Sequence, residues 1–225
     1  MQAIYLAAGR ATGIRPFTRR DVDDWCDWPQ HTDPLYRDYN APRMSRRERD
    51  FWYAERIGRP DHAMYAVDSD GALVGRLFLR HMNTAERSAV LGVDLRSDRL
   101  DQAIGADALG AFFNYYFAGM DYQTMKLDVA AYNVRAQHVY EKLGFVYTGR
   151  HWNTYPSVFA PEVFTDPALE SVRQYFRSGP GSVSVLHYDM ELDRNTWREL
   201  RANTEAHPPA SDSRRTTNRN DAEPA

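Results

Sequence analysis

Asn133-Val134-Arg135-Ala136-Gln137-His138-Val139-Tyr140-Glu141-Lys142-Leu143-Gly144-Phe145 is the stretch that decides how the rest of this chain is read. Its physics predicts a helix with a defined start and stop. Asn133 is a good N-cap, because its side-chain oxygen can accept from an N–H one turn later. Gly144 follows the last helical residue, where a left-handed conformation is cheap for glycine. Ala136, Tyr140 and Leu143 share one face by their spacing. A helix alone carries no function, so the identities and the surrounding elements have to supply it.

Working outward, Met125 to Val129 reads as a buried strand before this helix, and residues 145–150 as a strand after it. Upstream lies a longer helix over 104–117, with Ala108, Leu109, Phe112, Tyr116 and Phe117 as its core stripe. Residues 62–68 and 72–79 are two strands around Asp70-Gly71, a hairpin signal, and 88–95 is a third strand. Residues 14–17 form a short strand, with Pro16 indicating an edge position. A helix over 21–28 follows, and Ser45-Arg46-Arg47-Glu48 is a capping box opening a helix to Ile57. Residues 183–190 supply the last strand. Antiparallel hairpins followed by strand–helix–strand crossovers predict an α/β fold of the α+β kind: a mixed, mostly antiparallel central sheet with helices on both faces.

Length and composition narrow the classes. The 225 residues suit one domain with additions. The net charge of −3 and the absence of a long basic run argue against nucleic acid. Cys26 is the single cysteine, so no intrachain disulfide is expected. No apolar run is long enough to span a bilayer, and the apolar piece Ala3-Ile4-Tyr5-Leu6-Ala7-Ala8 lacks the basic region of a signal peptide. The expectation is a cytoplasmic protein. Residues 1–13 read as an N-terminal extension, an extra strand or a ragged start. Residues 14–201 read as the domain, and 202–225 as a disordered tail too poor in large apolar residues to order itself.

The identities in the opening stretch resemble the C-terminal signature of the GCN5-related N-acetyltransferases (GNAT), Asn-x-x-Ala-x-x-x-Tyr-x-Lys-x-Gly-Phe, with every position filled. The element order also resembles that of a GNAT domain. The resemblance covers about 14–150 plus the final strand and is nearest to the RimJ/RimL-type branch, whose members acetylate protein N-termini or small amines. It implies acetyl-CoA as co-substrate, an amine acceptor, and no metal.

The resemblance also implies site residues. The family's phosphate loop, Gln/Arg-x-x-Gly-x-Gly/Ala, corresponds to Leu100-Asp101-Gln102-Ala103-Ile104-Gly105, with Ala106 next. In the family, its backbone N–H groups and the helix N-terminus cradle the coenzyme A pyrophosphate. Here Leu100 replaces a polar residue, Ala103 replaces the first glycine, and Asp101 adds a negative charge. Ala103 is expected to keep its N–H on the phosphates if its φ is negative, and Arg99 is the candidate for the missing positive charge. Backbone groups of Val93, Asp94 and Leu95 are implied to hold the acetyl carbonyl and pantetheine arm at a break in the sheet. Alternation sends Asp94 to the face opposite Val93 and Leu95. There it is either a base or charge anchor for the incoming ammonium, or an exposed strand-end carboxylate. Tyr140 is implied to protonate the leaving thiolate; its spacing equally suits a core tyrosine. Asn133 reads both as N-cap and as a pantetheine contact, with Ala136 beside it. His138 falls on the polar helix face. His151 and His187 flank an insertion and are each candidates to touch the acceptor.

That insertion, residues 151–182, is rich in aromatic and acidic residues and in Pro and Gly, with a short helix expected over 168–176. It is a lid over the acceptor or a dimer contact; it and the N-terminal piece are the candidate homodimer surfaces. The Arg-rich stretch 43–52 is another region the family uses for acceptor choice. The leading expectation is therefore transfer of an acetyl group to a primary amine, by direct attack through a tetrahedral intermediate. The sequence shows no unmistakable strong base, which favours an α-amine or another amine of low pKa. The altered phosphate loop keeps a second reading open, a catalytically silent GNAT-like module that binds a ligand or partner.

Overall fold

The computed structural model describes residues 4–100, 102–156 and 160–206. Strand β1 (Ala7–Ala8) pairs antiparallel with β2 (Gly13–Pro16). Helix α1 (Arg19–Cys26) begins earlier than its hydrophobic periodicity predicts, because the Asp21 carboxylate accepts from the Thr18 N–H at 2.7 Å and so closes the first turn. A 3₁₀ segment (Pro34–Tyr39) leads to α2 (Arg46–Ile57), which opens with the expected Ser45/Glu48 capping box. β3 (Ala63–Ser69) and β4 (Ala72–Asn83) meet at Asp70 and Gly71, whose φ angles of 52° and 75° are those of the tight turn expected from their sequence. β5 (Ser88–Leu95), α3 (Ile104–Asn114), β6 (Thr124–Ala130) and α4 (Val134–Lys142) follow. The predicted long helix gives way at Tyr115–Gly119 to a π-helical turn. The chain finishes with β7 (Val146–Pro156), β8 (Phe176–Gly179), β9 (Ser182–Asp193) and α5 (Arg194–Ala206).

These strands form one mixed sheet in the order β1-β2-β3-β4-β5-β6-β9-β7, with β8 pairing β9. Among them only β5 and β6 run parallel. Alternation sorts each strand between two faces. On one, Leu91, Met125, Leu127, Met190 and Leu192 pack against Phe112 and Phe113 of α3, Val139 of α4 and Trp197 of α5. On the other, Phe17, Met64 and Ala66 pack against Val22 and Trp25 of α1, with Trp52 and Tyr53 of α2 alongside. A third cluster joins the 3₁₀ segment to the β8–β9 region: Leu35, Tyr132, Val163, Phe176, Val183 and Val185.

Two further features depart from the sequence reading. First, residues 151–156 are strand: β7 continues through Pro156, paired residue for residue with β9 back to Ser182. Only beyond it does the chain turn irregular, with 3₁₀ turns at Pro161–Phe164 and Pro167–Tyr175 where a short helix is expected. Second, residues 202–206 finish helix α5, an element the sequence reading lacks; the rest of the expected disordered tail lies outside the described residues. Of the two readings of the N-terminal piece the extra strand holds, as β1, and the piece is tied down. The Asp107 carboxylate at the start of α3 accepts from the N–H groups of Arg10 and Ala11 at 2.8 and 3.0 Å and from the Thr12 hydroxyl at 2.7 Å. No helix of the described residues is long and apolar enough to cross a membrane.

Candidate active site

The parallel pairing of β5 and β6 extends only over Ser88–Thr124, Ala89–Met125 and Val90–Lys126. Both strands run on, β5 held by β4 as far as Leu95 and β6 held by β9 as far as Ala130, so beyond Val90 they splay apart. A cleft of about 530 Å³ occupies the gap. On their open sides the two strands carry backbone groups with no sheet partner there. Buried polar backbone needs hydrogen-bonding partners, so such an edge is a ready seat for an extended, amide-bearing ligand.

Nearly all residues singled out from the sequence converge on this cleft. Val93, Asp94, Leu95, Leu100, Ala103, Ile104, Gly105, Ala106, Asn133, Ala136 and Tyr140 line it. Gln102 instead turns back on its own loop, donating from Nε2 to the Asp98 carbonyl at 3.2 Å. Asp101 lies outside the described residues. The condition that Ala103 keep a negative φ is not met: its φ is +58°. Alanine here takes the left-handed shape that glycine adopts without cost, because the chain must reverse between the 3₁₀ turn at Ser97–Arg99 and α3.

Ala103 is the N-cap of α3 and has no polar side chain to cap it. The first N–H groups of the helix, from Ile104, Gly105 and Ala106, have no carbonyl one turn back inside the helix. With the helix dipole they favour an anion. Arg99 and Arg135 border the same end of the cleft, and Arg99 lies 4.0 Å from an Asp70 carboxylate oxygen. This end therefore fits a pyrophosphate, and the open β5 edge fits the amide-bearing arm of coenzyme A.

Of its two readings Asn133 shows the N-cap, and both ends of its amide are engaged within the protein. Oδ1 accepts from the Ala136 N–H at 3.2 Å as an N-cap, while Nδ2 donates to the Tyr39 hydroxyl at 3.4 Å. Tyr140 packs against Phe145, and its hydroxyl has no hydrogen-bond partner among the described residues. Desolvation, reinforced by Tyr39, Asp128 and Asp94, raises its pKa, so it holds its proton at neutral pH. A half-buried, protonated phenol with no partner among the described residues is placed to donate into the cleft.

Asp94 does lie on the face opposite Val93 and Leu95, but buried rather than exposed, at 8% accessibility. Its Oδ2 accepts from Arg76 Nε at 2.6 Å and lies 2.5 Å from Nη2. The Arg76 guanidinium in turn stacks 3.9 Å from the Trp25 ring centre. That arrangement makes Asp94 a fixed charge. Gly92, across from Phe78, leaves room for that ring: a Cβ would approach it to 2.1 Å.

The other end of the cleft holds groups the sequence reading did not join. His187 of β9, 8% exposed, sets Nδ1 2.9 Å from Asp128 Oδ2 on β6 and Nε2 3.3 Å from the Tyr155 hydroxyl on β7. Arg80 reaches the other Asp128 oxygen at 3.4 Å. The His187 hydrogen bond holds Asp128 below the usual carboxylate range, against the cost of its burial. Burial, and then the Asp94 carboxylate nearby, raise the pKa of Asp38, which also lines the cleft. Burial raises Tyr39 and Tyr155 to about 12 each. His151 stacks on His187 at 5.7 Å and pairs with Asp189, whereas His138 is exposed on α4. The alternation Met125-Lys126-Leu127-Asp128-Val129 carried the signal for Asp128, since it sends Lys126 and Asp128 together to the face away from the core. No group of three or more His, Cys, Asp or Glu among the described residues has the geometry to hold a metal ion.

Comparison with known proteins gives the family and the fold. The acetyltransferase (GNAT) domain family matches residues 12–146. No curated protein matches the chain by sequence. Among solved structures, the spermidine N-acetyltransferase of Vibrio cholerae in complex with CoA and spermine superposes with a TM-score of 0.61 at 18% identity, covering 84% of this chain and 98% of that one. A chimera of that enzyme and hSSAT gives 0.61 and 18%, with the same coverage. At such identity these likenesses carry the fold.

Proposed function

The chain belongs to the GNAT acetyltransferase family, its domain matching more than half of the residues, and from that premise we propose that it moves the acetyl group of acetyl-CoA to a small cationic primary amine. The observation that carries the reading is the splay of β5 from β6, with an anion-binding helix terminus at one end and carboxylates at the other. Acetyl-CoA supplies the activated acyl group as a thioester. The N–H groups of Ile104, Gly105 and Ala106 hold the pyrophosphate, with Leu100, Gln102 and Ala103 shaping the loop. The open edge of Val93–Leu95, with Asn133 and Ala136, aligns the arm and donates to the developing oxyanion. The amine attacks directly, and the Tyr140 hydroxyl gives its proton to the departing sulfur. Asp94, fixed by Arg76, holds the positive charge of the acceptor near the reacting carbon.

The choice of a small cationic acceptor over a protein N-terminus is supported by the convergence of Asp38, Asp94 and Asp128 with Tyr36, Tyr39 and Tyr155 on one cleft. The spermidine enzymes that share the fold fit the same reading. The RimJ/RimL-type branch remains our assignment from the motif spacing. We also propose residues 14–201 as the domain, with the 3₁₀ turns and β8 of the region 151–182 as a fixed wall of the acceptor end.

Calorimetric titration with acetyl-CoA, followed by thiol release with amines, tests the reading. One-to-one binding that is abolished by Gly105→Trp is expected, together with a loss of kcat of about 10²-fold in Tyr140→Phe at unchanged coenzyme affinity. Coenzyme binding without turnover on any amine would instead favour the silent-module reading.

A further inference from the structure

Acetylation of an alkylamine requires that the ammonium first lose a proton, since the protonated nitrogen has no lone pair with which to attack. At pH 7 a lysine-like amine, with pKa about 10.4, is neutral only at roughly one part in two thousand. The acceptor end of the cleft must therefore receive protons. Asp94 is a poor candidate, because its Oδ2 is committed to Arg76 at 2.6 and 2.5 Å.

His187 is arranged differently. With its Nδ1–H donated to Asp128 at 2.9 Å, its Nε2 carries the free lone pair, directed at the Tyr155 hydroxyl 3.3 Å away. Three strands supply the three groups: β6 the carboxylate, β9 the imidazole and β7 the phenol. Fixing the tautomer and offsetting the imidazolium charge are what a carboxylate behind a catalytic histidine does. A cross-strand brace alone would not need the second nitrogen to face a cleft, yet both His187 and Tyr155 line it, beside Tyr140 and Asp94.

We propose that His187, oriented by Asp128, is the general base of the transfer, and that Tyr155 relays the proton to it. The inference rests on the acetyltransferase reading and adds the group that makes the acceptor nucleophilic. The balance is simple. An ammonium N–H breaks as its proton passes to the Tyr155 oxygen, while the Tyr155 O–H proton passes to His187 Nε2. The products are a neutral amine, a restored phenol and an imidazolium paired with Asp128. The imidazolium releases its proton to water after each turnover. The charged or titratable groups facing His187 are Asp128 on β6, His151 and Tyr155 on β7, and Asp38 from the 3₁₀ segment, with Arg80 of β4 reaching it through Asp128.

The test is the pH dependence of kcat/KM for acetyl transfer, measured on whichever of spermidine, an Nα-blocked lysine and a peptide α-amine the wild-type protein acetylates fastest. His187→Gln and Asp128→Asn are compared with wild type, with coenzyme A affinity and melting temperature as controls. His187→Gln is expected to lose about 10²-fold at pH 7. The loss should shrink as pH climbs towards the acceptor's own pKa, where the amine no longer needs a base. Asp128→Asn should show a smaller loss with the same pH-dependent recovery, and it decides the matter if the glutamine variant fails to fold. No loss, or an equal loss at every pH with coenzyme binding intact, would reduce the dyad to a brace and leave the transferase reading standing. If the wild-type protein binds coenzyme but acetylates none of the amines, the transferase reading falls, and this inference with it.

Discussion

Ala103 stands at φ +58° where the chain turns into α3, a position glycine fills without strain. The left-handed conformation costs an alanine about 1–2 kcal/mol, partly offset because glycine has more freedom to lose on folding. Ala103→Gly should therefore stabilise the protein by about 1 kcal/mol and leave coenzyme affinity unchanged, since the backbone already has the glycine shape. A fall in the denaturation midpoint would contradict this. Single residues also show where reading a sequence stops. The Asn133 cap and the Gly144 turn, at φ +92°, follow from local chemistry. Whether Tyr140 is a core tyrosine or a donor does not, because its helical spacing serves both. The cleft beside it, and a hydroxyl with no partner among the described residues, are what support the donor role we propose.

At the scale of elements, Asp107 joins the N-terminal hairpin to the first turn of α3 through three hydrogen bonds. Burial works against its charge, but the N–H groups of Ala11 and Arg10 and the Thr12 hydroxyl outweigh that and hold its pKa below the usual carboxylate range. A depressed carboxylate contributes stability that is fully present above the unfolded aspartate value of about 3.9 and is lost as pH falls through the lower folded value. Asp107→Ala should thus cost about 2 kcal/mol at pH 7, with the gap to wild type closing progressively below about pH 4. Urea midpoints across that range check it, and a gap independent of pH would show that the carboxylate's charge plays no part. Helix α5 makes the complementary point. Trp197 packs edge-on against Phe113 at 5.4 Å, and Leu200 lies where a Cβ on Gly144 would sit, 2.4 Å away. The polar composition of its last turns hid it from the sequence reading, because one buried face suffices when the partner helices are already in place.

For the whole molecule, the cleft owes its shape to elements far apart in the chain. β8 continues the line of β6 along β9, and Phe176 stacks on Tyr132 at 5.3 Å in one cluster with Leu35 of the 3₁₀ segment, supporting from behind the Tyr132 ring that lines the cleft. Phe176→Ala should open that wall, raising KM for the amine about tenfold while leaving coenzyme affinity as it was. An equal loss in both would mean the cleft collapses as a unit. Periodicity, capping and turn residues by themselves determined helices α1 to α4, most of the strands and the mixed sheet, because these depend on neighbours a few positions away. The resemblance of 133–145 brought the family into view, and the comparisons bear that family out. What only the tertiary structure decided is which polar groups meet. Asp94 finds Arg76, His187 finds Asp128 and Tyr155, and β5 parts from β6 after Val90. Those pairings join residues from 18 to 59 positions apart. Cross-strand register sets them, and which distant strands lie side by side is decided only when the sheet assembles.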